Sequence, residues 1–461
     1  MMLWLKRRSE SMDQEIFRYL PDTPEDIQDM LQVIGVESIE ELFQGIPSEI
    51  RLKDDLEIPD PLSEYELLQT MQQMARKNIS ATEMPFFLGA GTYDHYIPSV
   101  VDAVISRSEF YTAYTPYQPE ASQGELQAIF EFQTMISELT GMKVTNSSLY
   151  DGFTSLSEAV GLAQSVTKKD KILLSMGIHP EGRKIVKTAS IGRGIEVEEI
   201  PLSRDRTDLE KLSKALNEEV AAVAIQYPNF LGTIEDIQAV KKLLEGTSVQ
   251  LIVMANPLAL GLLEAPGHLG ADVVVGDTQS LGIPMSFGGP HCGYFSVNKK
   301  NIRRVPGRMV GETEDAKGNR GFVLALQVRE QHIRREKATS YMSSNQALNA
   351  LQSAVCMAAL GKNGIQEIAQ LNFNNASYLA GQLSEKGFSI YNEGPYFNEF
   401  VVELPIKAEI MNQRLLNAGI IGGYSLEKDY GLSMHMLLCA TEKRSKKEMD
   451  RLVEELGGIG K

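Results

Sequence analysis

The chain has 461 residues, of which 43% are hydrophobic, so it can bury a large core and is too long for one compact unit. It carries 45 basic and 61 acidic residues, a formal net charge of -16. A surface with this charge repels phosphate backbones and anionic membranes, so neither nucleic acid nor a membrane is an expected partner. The apolar stretch of the opening "MMLWLKRRSESMDQ" is too short for a signal peptide, and Met1 and Met12 are both candidate starts.

Cysteine and histidine usage argues against a disulfide framework and a metal site. Cys292, Cys356 and Cys439 are odd in number and far apart, and they have no paired zinc-type spacing. The six histidines include no His-Glu-x-x-His motif. The pattern favours a reducing compartment, and we expect the protein to be cytoplasmic.

Residues 1–80 are predicted to form an N-terminal helical arm that packs on a larger body or on a partner. Three helix starts carry a capping signal, namely Thr23 before Pro24, Ser38 with Glu41, and Ser63 with Glu66. The segment "EIPDPL" separates the last two of these helices.

Residues 81–360 are predicted to form a large α/β domain. It opens with aromatic loops and a long buried helix that ends at Gly141. Apolar runs then alternate with helical segments; the runs are "KILLS", "IEVEEI", "AAVAIQ", "QLIVM", "ADVVV" and "CGYFSV". Continuous apolar strands joined by helices indicate a mainly parallel sheet that is covered on both faces. Residues 361–461 mix strands and helices and are predicted to form a small α+β domain whose last helix is capped by Ser445 with Glu448.

Two glycine-containing segments are candidate phosphate sites. "GAGT" near Gly89 follows no apolar strand and lacks the G-x-G-x-x-G spacing, so it does not predict a dinucleotide site. In "SLYDGFTSLSEAV", a helix capped by Thr154 or Ser155, with Glu158 closing a capping box, could bind phosphate through its free amides. An ordinary capped helix is the alternative, and the carboxylates of Asp151 and Glu158 oppose a dianion there.

Two positions decide whether this domain could carry pyridoxal phosphate by itself. That cofactor needs a lysine to form an imine and a carboxylate opposite its pyridine nitrogen, at the ends of two consecutive strands. After the strand "QLIVMA" the aspartate position holds Asn256, and after "ADVVVGD" the lysine position holds Gln279. Because an amide is neither nucleophilic nor charged, the sequence predicts no covalently bound cofactor on this chain.

Long ordered blocks from about residue 12 to the C-terminus resemble the glycine cleavage system P-protein family, the glycine dehydrogenases (decarboxylating). The blocks include "FLGAGTYDHYIPSVV", "EFYTAYTPYQPEASQGELQAIFEFQTMI", "VGDTQSLGIPMSFGGPHCGYF" and "GFVLALQVREQHIRREKATSYMSSNQAL". Within the family the chain is similar to subunit 1, the alpha chain of the two-subunit form. Asn256, where the family more often has an aspartate, is a minor departure.

The resemblance implies an aspartate-aminotransferase-like fold, pyridoxal phosphate fold type I. It further implies an α2β2 heterotetramer in which subunit 2 keeps the lysine and holds pyridoxal phosphate, with sites at the α–β interface. Such an enzyme decarboxylates glycine and passes the aminomethyl group to the lipoyl arm of the H-protein. Subunit 1 would complete the partner's site without carrying the cofactor.

Three segments are predicted to face that site. Tyr114, Tyr117 and Gln118 lie on a proline-stiffened loop, and Tyr93, Asp94 and His95 lie on a glycine-flanked turn. The third segment, with Ser286, Gly288 and Gly289, could donate amides to the partner's phosphate. A basic segment with Arg329, Arg334 and Arg335 could also face the interface. For each segment the alternative is an ordinary structural role within its own domain or on a solvated face.

Two other functions remain open from the residues. The chain could be a self-sufficient pyridoxal phosphate enzyme that uses another lysine, or a scaffold that only steadies its partner.

Overall fold

The computed structural model describes residues 22–52, 57–59, 61–327, 331–338, 340 and 345–458. The chain divides into two compact units, one ending at Asn78 and one spanning Ile79–Lys461. Among the residues that the structure describes, no helix has both the length and the apolar character that crossing a membrane requires.

The described part of the first unit contains two α-helices, α1 (Pro24–Ile34) and α2 (Glu64–Ala75), and a short 3₁₀ helix, Ile39–Phe43. Thr23 and Ser63 cap the two α-helices through capping boxes, as predicted. The predicted box at Ser38 is wrong, because a 3₁₀ turn forms there and the Ser38 side chain makes no capping bond. The carboxylate of Glu41 instead accepts the backbone N–H of Glu37 at 3.1 Å. The predicted arm residues before Asp22 lie outside the described residues.

The second unit is built from the remaining elements. Its helices are α3 (Ser99–Ile105), α4 (Ser108–Tyr111), α5 (Gln123–Thr140), α6 (Gly152–Thr167), α7 (Pro180–Arg193), α8 (Leu209–Ala215), α9 (Ile237–Leu243), α10 (Gln331–Arg334), α11 (Ala347–Glu385), α12 (Ala408–Asn417), α13 (Glu427–Tyr430) and α14 (Lys446–Gly457). Its strands are β1 (Val144–Thr145), β2 (Lys171–Ser175), β3 (Glu196–Ile200), β4 (Leu202–Ser203), β5 (Arg206–Thr207), β6 (Val220–Tyr227), β7 (Gln250–Ala255), β8 (Val273–Asp277), β9 (Gly293–Val297), β10 (Val310–Glu314), β11 (Arg320–Leu324), β12 (Glu399–Glu403), β13 (Tyr424–Leu426) and β14 (Leu432–Cys439).

A seven-stranded sheet in the order β1-β9-β8-β7-β6-β2-β3 forms the centre of this unit. The five strands from β8 to β3 in that order run parallel, and β9 and β1 complete the edge by antiparallel pairing. Alternate residues of each strand enter two different apolar clusters; Val223 and Val253 belong to one, and Ala222 and Ile252 to the other. The sheet is therefore covered on both faces, as the continuous apolar runs predicted.

The C-terminal part has its own antiparallel sheet in the order β12-β14-β13. The apolar side of α14, with Met449, Leu452, Val453 and Leu456, is buried in the cluster that this sheet forms. Helix α11 crosses the predicted domain boundary at residue 360, and its regular geometry is interrupted there at Gly361, with φ of 61°. The division of the second unit at that point stays a prediction.

Candidate functional site

A cavity of about 90 Å³ lies where the parallel strands β6, β7 and β8 reach their carboxyl ends. Gln226 at the end of β6, Asn256 after β7 and Asp277 at the end of β8 line it. Ligands of open α/β sheets bind at this edge, because loops there converge above the strand ends. This cavity is therefore the position that the fold offers for a cofactor or substrate.

Gln279, at the position where a cofactor lysine would stand, links backbone segments beside this cavity. Its side-chain oxygen accepts the backbone N–H of Tyr93 at 2.9 Å. Its amide nitrogen donates to the carbonyl oxygens of Tyr93 at 2.8 Å and Ile283 at 2.9 Å. The side chain is buried and uses its hydrogen-bonding groups within the chain. It holds the 91–93 loop against the end of the sheet and is unable to form an imine.

Asn256 has a comparable structural role. Its side-chain oxygen accepts the backbone N–H of Leu258 at 3.1 Å and the hydroxyl of Ser280 at 3.0 Å. These bonds cap the turn after β7 and orient the amide. The neutral side chain supplies no negative charge toward the cavity.

Carboxylates of the protein occupy the amino end of helix α6. Asp151 is the N-cap residue and accepts the backbone N–H of Thr154 at 2.6 Å. Asp277 accepts the backbone N–H of Gly152 at 3.0 Å. Two acidic side chains thus take the amide donors that an anionic phosphate would use, and their charge repels one.

The expected caps for this helix, Thr154 or Ser155, are wrong because the helix begins at Gly152, with Asp151 as its N-cap. The start is possible there because glycine has no Cβ; one added at Gly152 would lie 2.9 Å from the carbonyl carbon of Gly276. Glu158 does not close a capping box, because its carboxylate pairs with the guanidinium of Arg193 at 2.5 Å.

Two histidines in the cavity wall were not singled out from the sequence. The ring of His179 packs 4.7 Å from the rings of Phe153 and Phe230, measured between centroids. Burial lowers the pKa of His179 and keeps the ring neutral. Burial alone would lower the pKa of His291. The ring lies 3.4 Å from the Asp277 carboxylate, whose hydrogen bond and negative charge outweigh burial and raise that pKa.

Glu399, the first residue of β12, is another cavity residue that was not singled out from the sequence. Its carboxylate accepts the backbone N–H of Ala90 at 2.7 Å and the hydroxyl of Tyr93 at 2.8 Å. Burial raises the pKa of Glu399 to about 7, against the opposing effect of these two donors. The only signal in the sequence is a glutamate at the start of an apolar strand.

The predicted residues Asp94 and His95 are buried in ion pairs of this chain. The Asp94 carboxylate binds Lys443 at 2.5 Å and Arg444 at 2.9 Å. His95 binds Glu442 at 2.9 Å. Burial alone would raise the pKa of Glu442, but the His95 ring and donated hydrogen bonds outweigh it and hold that pKa at about 2. The turn thus ties the 89–96 segment to the loop after β14, and Tyr93 alone of the three lines the cavity.

Tyr114, Tyr117 and Gln118 come together in a separate surface groove of about 720 Å³. Tyr114 is 81% exposed, and the rings of Tyr114 and Tyr117 are 6.4 Å apart. The Tyr117 hydroxyl accepts a hydrogen bond from the Arg308 guanidinium at 2.8 Å. The three residues therefore line one accessible groove to which neither Tyr93 nor the third predicted segment contributes.

The third segment forms an exposed loop around the short 3₁₀ helix Ser286–Gly288. Phe287 is 99% exposed, and Ser286 and Phe287 have φ of 41° and 58°. Gly288 is exposed and Gly289 partly so. Of the predicted basic residues, Arg334 and Arg335 are exposed, whereas Arg329 lies outside the described residues.

Comparisons with known proteins agree on one family. The model of the glycine cleavage system P-protein family matches residues 17–456. A probable glycine dehydrogenase (decarboxylating) subunit 1 of a Geobacillus species is 56% identical over 443 residues, covering 96% of this chain and 99% of the relative. The protein of the same description from Oceanobacillus iheyensis is 54% identical over 445 residues, covering 96% of this chain and 99% of the relative. The chain belongs to the glycine cleavage system P-protein family.

Solved structures confirm the fold. A crystal structure of an inhibitor-bound glycine decarboxylase, the P-protein of the glycine cleavage system, matches with a TM-score of 0.88 and 42% identity, covering 96% of this chain and 100% of that one. A glutamate decarboxylase from Lactobacillus brevis matches with a TM-score of 0.67 at 12% identity, covering 90% of this chain and 96% of that one, and shares the fold alone. The predicted class, fold type I of the pyridoxal phosphate enzymes, is thereby confirmed.

The cleft of this P-protein chain does not fit pyridoxal phosphate. Among the described residues that line it there is no lysine, Asn256 stands at the position predicted for the acidic partner of the ring, and Asp277 accepts the backbone N–H of Gly152. No chemical step is therefore derived through that cofactor in this cleft.

Proposed function

We propose that the chain is subunit 1 of a two-subunit glycine decarboxylase and that subunit 2 of an α2β2 heterotetramer holds the pyridoxal phosphate. The assembly decarboxylates glycine and transfers the aminomethyl group to the lipoyl arm of the H-protein. The lipoyl disulfide is reduced as the new carbon–sulfur bond forms. We place this chemistry in the cytoplasm, in keeping with the three buried free cysteines.

The observation that carries this proposal is a cleft whose side chains already bind neighbouring backbone, in a chain of the P-protein family. Gln279 and Asp277 use their polar groups on neighbouring backbone, where a cofactor enzyme needs a lysine and free amides. A family member without a cofactor position of its own contributes most directly by completing a site that another chain carries.

The groove with Tyr114, Tyr117 and Gln118 supports such a contribution. Its residues are accessible, and Arg308 fixes the ring of Tyr117 by a hydrogen bond and by stacking 5.4 Å from the ring centroid. Gln118 is exposed and free to donate to a substrate carboxylate. We propose that these groups position glycine and exclude water at the partner's site.

The exposed loop supports a contact with the partner. Non-glycine residues with positive φ each cost about 1–3 kcal/mol and persist where the surroundings over-determine them. An aromatic ring held in full exposure by such a backbone is typical of an interaction site. We propose that Ser286, Gly288 and Gly289 approach the partner's cofactor phosphate, with Phe287 packed on the partner. We propose that Tyr93, Asp94 and His95 stabilise the same face from inside the chain. They connect the 89–96 segment to the cleft and to the loop after β14.

Reconstitution tests the function. The purified chain mixed with pyridoxal phosphate is expected to show neither aldimine absorbance nor glycine–bicarbonate exchange, and both should return when subunit 2 is added. Borohydride reduction of the assembly, followed by peptide mapping, should place the pyridoxyl label on subunit 2. A label on this chain would establish the self-sufficient enzyme instead.

The loop variants Tyr117→Phe and Gln118→Ala separate a site role from a scaffold role. We expect each to lower kcat/KM of the assembled enzyme by about tenfold, an effect of about 1.4 kcal/mol, without changing assembly. Gln413→Ala, an exposed glutamine on α12, is the matched control and should leave turnover unchanged. Unchanged turnover in both loop variants would favour the scaffold.

A further inference from the structure

A surface groove that the proposed function does not use is lined almost entirely by cations. It has a volume of about 470 Å³, and Ile302 is the only described residue of its lining without a positive charge. The other lining residues are Lys299, Lys300, Arg303, Arg304, Arg334 and Lys337. No described carboxylate belongs to the lining, although the whole chain has 61 acidic and only 45 basic residues. We call this site the basic groove.

Most cations of the basic groove have no carboxylate partner. Lys300 binds the Asp272 carboxylate at 2.7 Å. No ion pair with any residue that the structure describes is formed by Lys299, Arg303, Arg304, Arg334 or Lys337. Elsewhere on this acidic chain, exposed cations do have such partners, as Lys187 has in Glu199 at 2.9 Å. Because like charges without counter-charges repel one another, the basic groove favours an anionic ligand.

The basic groove and the cleft lie at opposite ends of the central sheet. Val297 at the end of β9 pairs with Val273 at the start of β8, and the 3₁₀ helix Lys299–Arg304 follows Val297. Asp272, which binds Lys300, directly precedes β8. The groove therefore lies at the amino ends of the parallel strands, whereas the cleft lies at their carboxyl ends.

The lining of the groove suits carboxylates that are spread over a surface. Its six cationic side chains are all exposed, and no buried polar group of the described lining converges with them on one point, as a small phosphate site requires. Each arginine can bind a carboxylate through two parallel hydrogen bonds. The described lining has no aromatic residue on which the bases of a single-stranded nucleic acid could stack.

We propose that the basic groove binds an acidic segment of a protein partner, in a contact that forms and dissociates readily. Permanent subunit interfaces have apolar centres, whereas the one apolar residue of this groove, Ile302, is packed against the core of its own chain. Contacts made by exposed charges associate fast and weaken with salt. The inference goes beyond the proposed function, because it assigns a ligand to a surface that glycine decarboxylation does not use.

Fluorescence anisotropy of a labelled decaglutamate peptide, titrated with the full chain, tests the proposal. Binding should weaken by about tenfold or more when NaCl is raised from about 0.05 M to about 0.5 M, because salt screens exposed charges. Unlabelled decaglutamate should displace the probe at lower concentration than inorganic tripolyphosphate or decathymidylate does. Absence of peptide binding at low salt would refute the proposal. Better competition by tripolyphosphate or decathymidylate would overturn it in favour of a phosphate site or a nucleic-acid site.

Charge reversal tests whether the peptide binds in this groove. Arg303→Glu and Arg334→Glu change the two segments that form the groove, and each should weaken peptide binding by about tenfold or more. Arg414→Glu, an exposed arginine on α12, changes the net charge by the same amount and should bind as the wild type does. Wild-type affinity in either groove variant, or equal weakening in all three variants, would refute the site. Circular dichroism checks that each variant is folded.

The same titration on the enzyme assembled with subunit 2 distinguishes a transient partner from a permanent one. The peptide should bind the assembly as tightly as it binds the chain alone. Loss of binding on assembly would assign the groove to subunit 2 and overturn the proposal. If the chain is purified only with subunit 2, the titrations of wild type and variants are made on the assembly. Failure of reconstituted decarboxylation would not affect these results, so the two proposals fail separately.

Discussion

Two regions of the chain use polar and aromatic groups in opposite ways. One is the cleft at the strand ends, and the other is the outer surface that carries the groove and the exposed loop. In the cleft, the side chains of Gln279, Asp277 and Glu399 bind the backbone of neighbouring loops. On the surface, Tyr114 and Phe287 extend into solvent with most of their area exposed. The first region holds this chain together, and the second offers contacts that another chain can complete.

Under the proposed function, in which subunit 2 holds the cofactor, the difference shows which side chains take the place of cofactor-binding residues in this cleft. A lysine or aspartate that served a cofactor would be costly to bury unpaired once that cofactor was held elsewhere. Amides and internally bound carboxylates remove this cost, because their partners lie on the same chain. The cleft then contributes to the stability of this chain, and the exposed surface is the part that the proposed assembly would use.

Gln279→Leu should break the first region and have the largest effect on stability. Leucine has a similar volume, but the change leaves the Tyr93 N–H and the carbonyls of Tyr93 and Ile283 without their partner. With an unsatisfied buried group costing about 1–3 kcal/mol, we expect the free energy of unfolding to fall by about 4 kcal/mol. Urea denaturation followed by circular dichroism measures it.

Gln118→Leu is the matched control for that variant, because Gln118 is an exposed glutamine in the second region. Its free energy of unfolding should stay within about 0.5 kcal/mol of the wild type. Equal losses in the two variants would contradict the distinction between the regions.

The pH dependence of stability sharpens the comparison within the cleft. The folded chain raises the pKa of Glu399 to about 7, above its ordinary value of 4.5, so it holds the proton more tightly than the unfolded chain does. This contribution to stability is fully present below the unfolded pKa and is lost as the pH rises through about 7. Relative to Glu399→Gln, the wild type should lose up to about 3 kcal/mol between pH 5 and pH 8.

Glu442→Gln is the control, because the pKa of Glu442 is shifted in the opposite direction to that of Glu399. The pKa of Glu442 is lowered to about 2, so its contribution is present above the ordinary value of 4.5 and is lost only as the pH falls toward 2. The stability difference between this variant and the wild type should therefore stay constant from pH 5 to pH 8. Unfolding curves at several pH values compare the three proteins, and a constant difference for Glu399→Gln would disprove its raised pKa.

Local patterns were sufficient to predict the elements. The apolar runs became β2, β3, β6, β7, β8 and β9, because continuous hydrophobicity over five or six residues is satisfied only inside a covered sheet. Caps at Thr23, Ser63 and Ser445 were also predictable, since each depends on residues three positions apart.

Of the residues that line the cleft, only those that directly follow a strand in the sequence could be predicted. Asn256 and Gln279 follow recognisable strands, and their positions were correctly inferred to lie at the end of the sheet. Glu399 was missed because its partner Ala90 is 309 residues away in the chain. Asp151 was missed as the N-cap in favour of Thr154 or Ser155, because the close approach of Gly152 to β8 is a tertiary contact that no local pattern encodes.

Phe287→Ser should alter the second region and leave the first intact. Removing an aromatic side chain that is 99% exposed costs the isolated chain no buried contact, so its free energy of unfolding should stay within about 0.5 kcal/mol of the wild type. If the ring packs on subunit 2, its loss should raise the dissociation constant of the subunits by at least tenfold, or about 1.4 kcal/mol. Sedimentation velocity of the mixed subunits measures it.

Ile191→Ser provides the matched control for Phe287→Ser, because Ile191 is another apolar side chain with 81% exposure, on helix α7. Its removal should leave the association unchanged, since that helix carries none of the segments proposed to face the partner. Equal weakening by both variants would mean that exposed apolar area in general, and not the strained loop, drives assembly. Weakening by Phe287→Ser alone would assign the loop to the interface, and its positive φ angles would then be maintained by the contact that the partner makes.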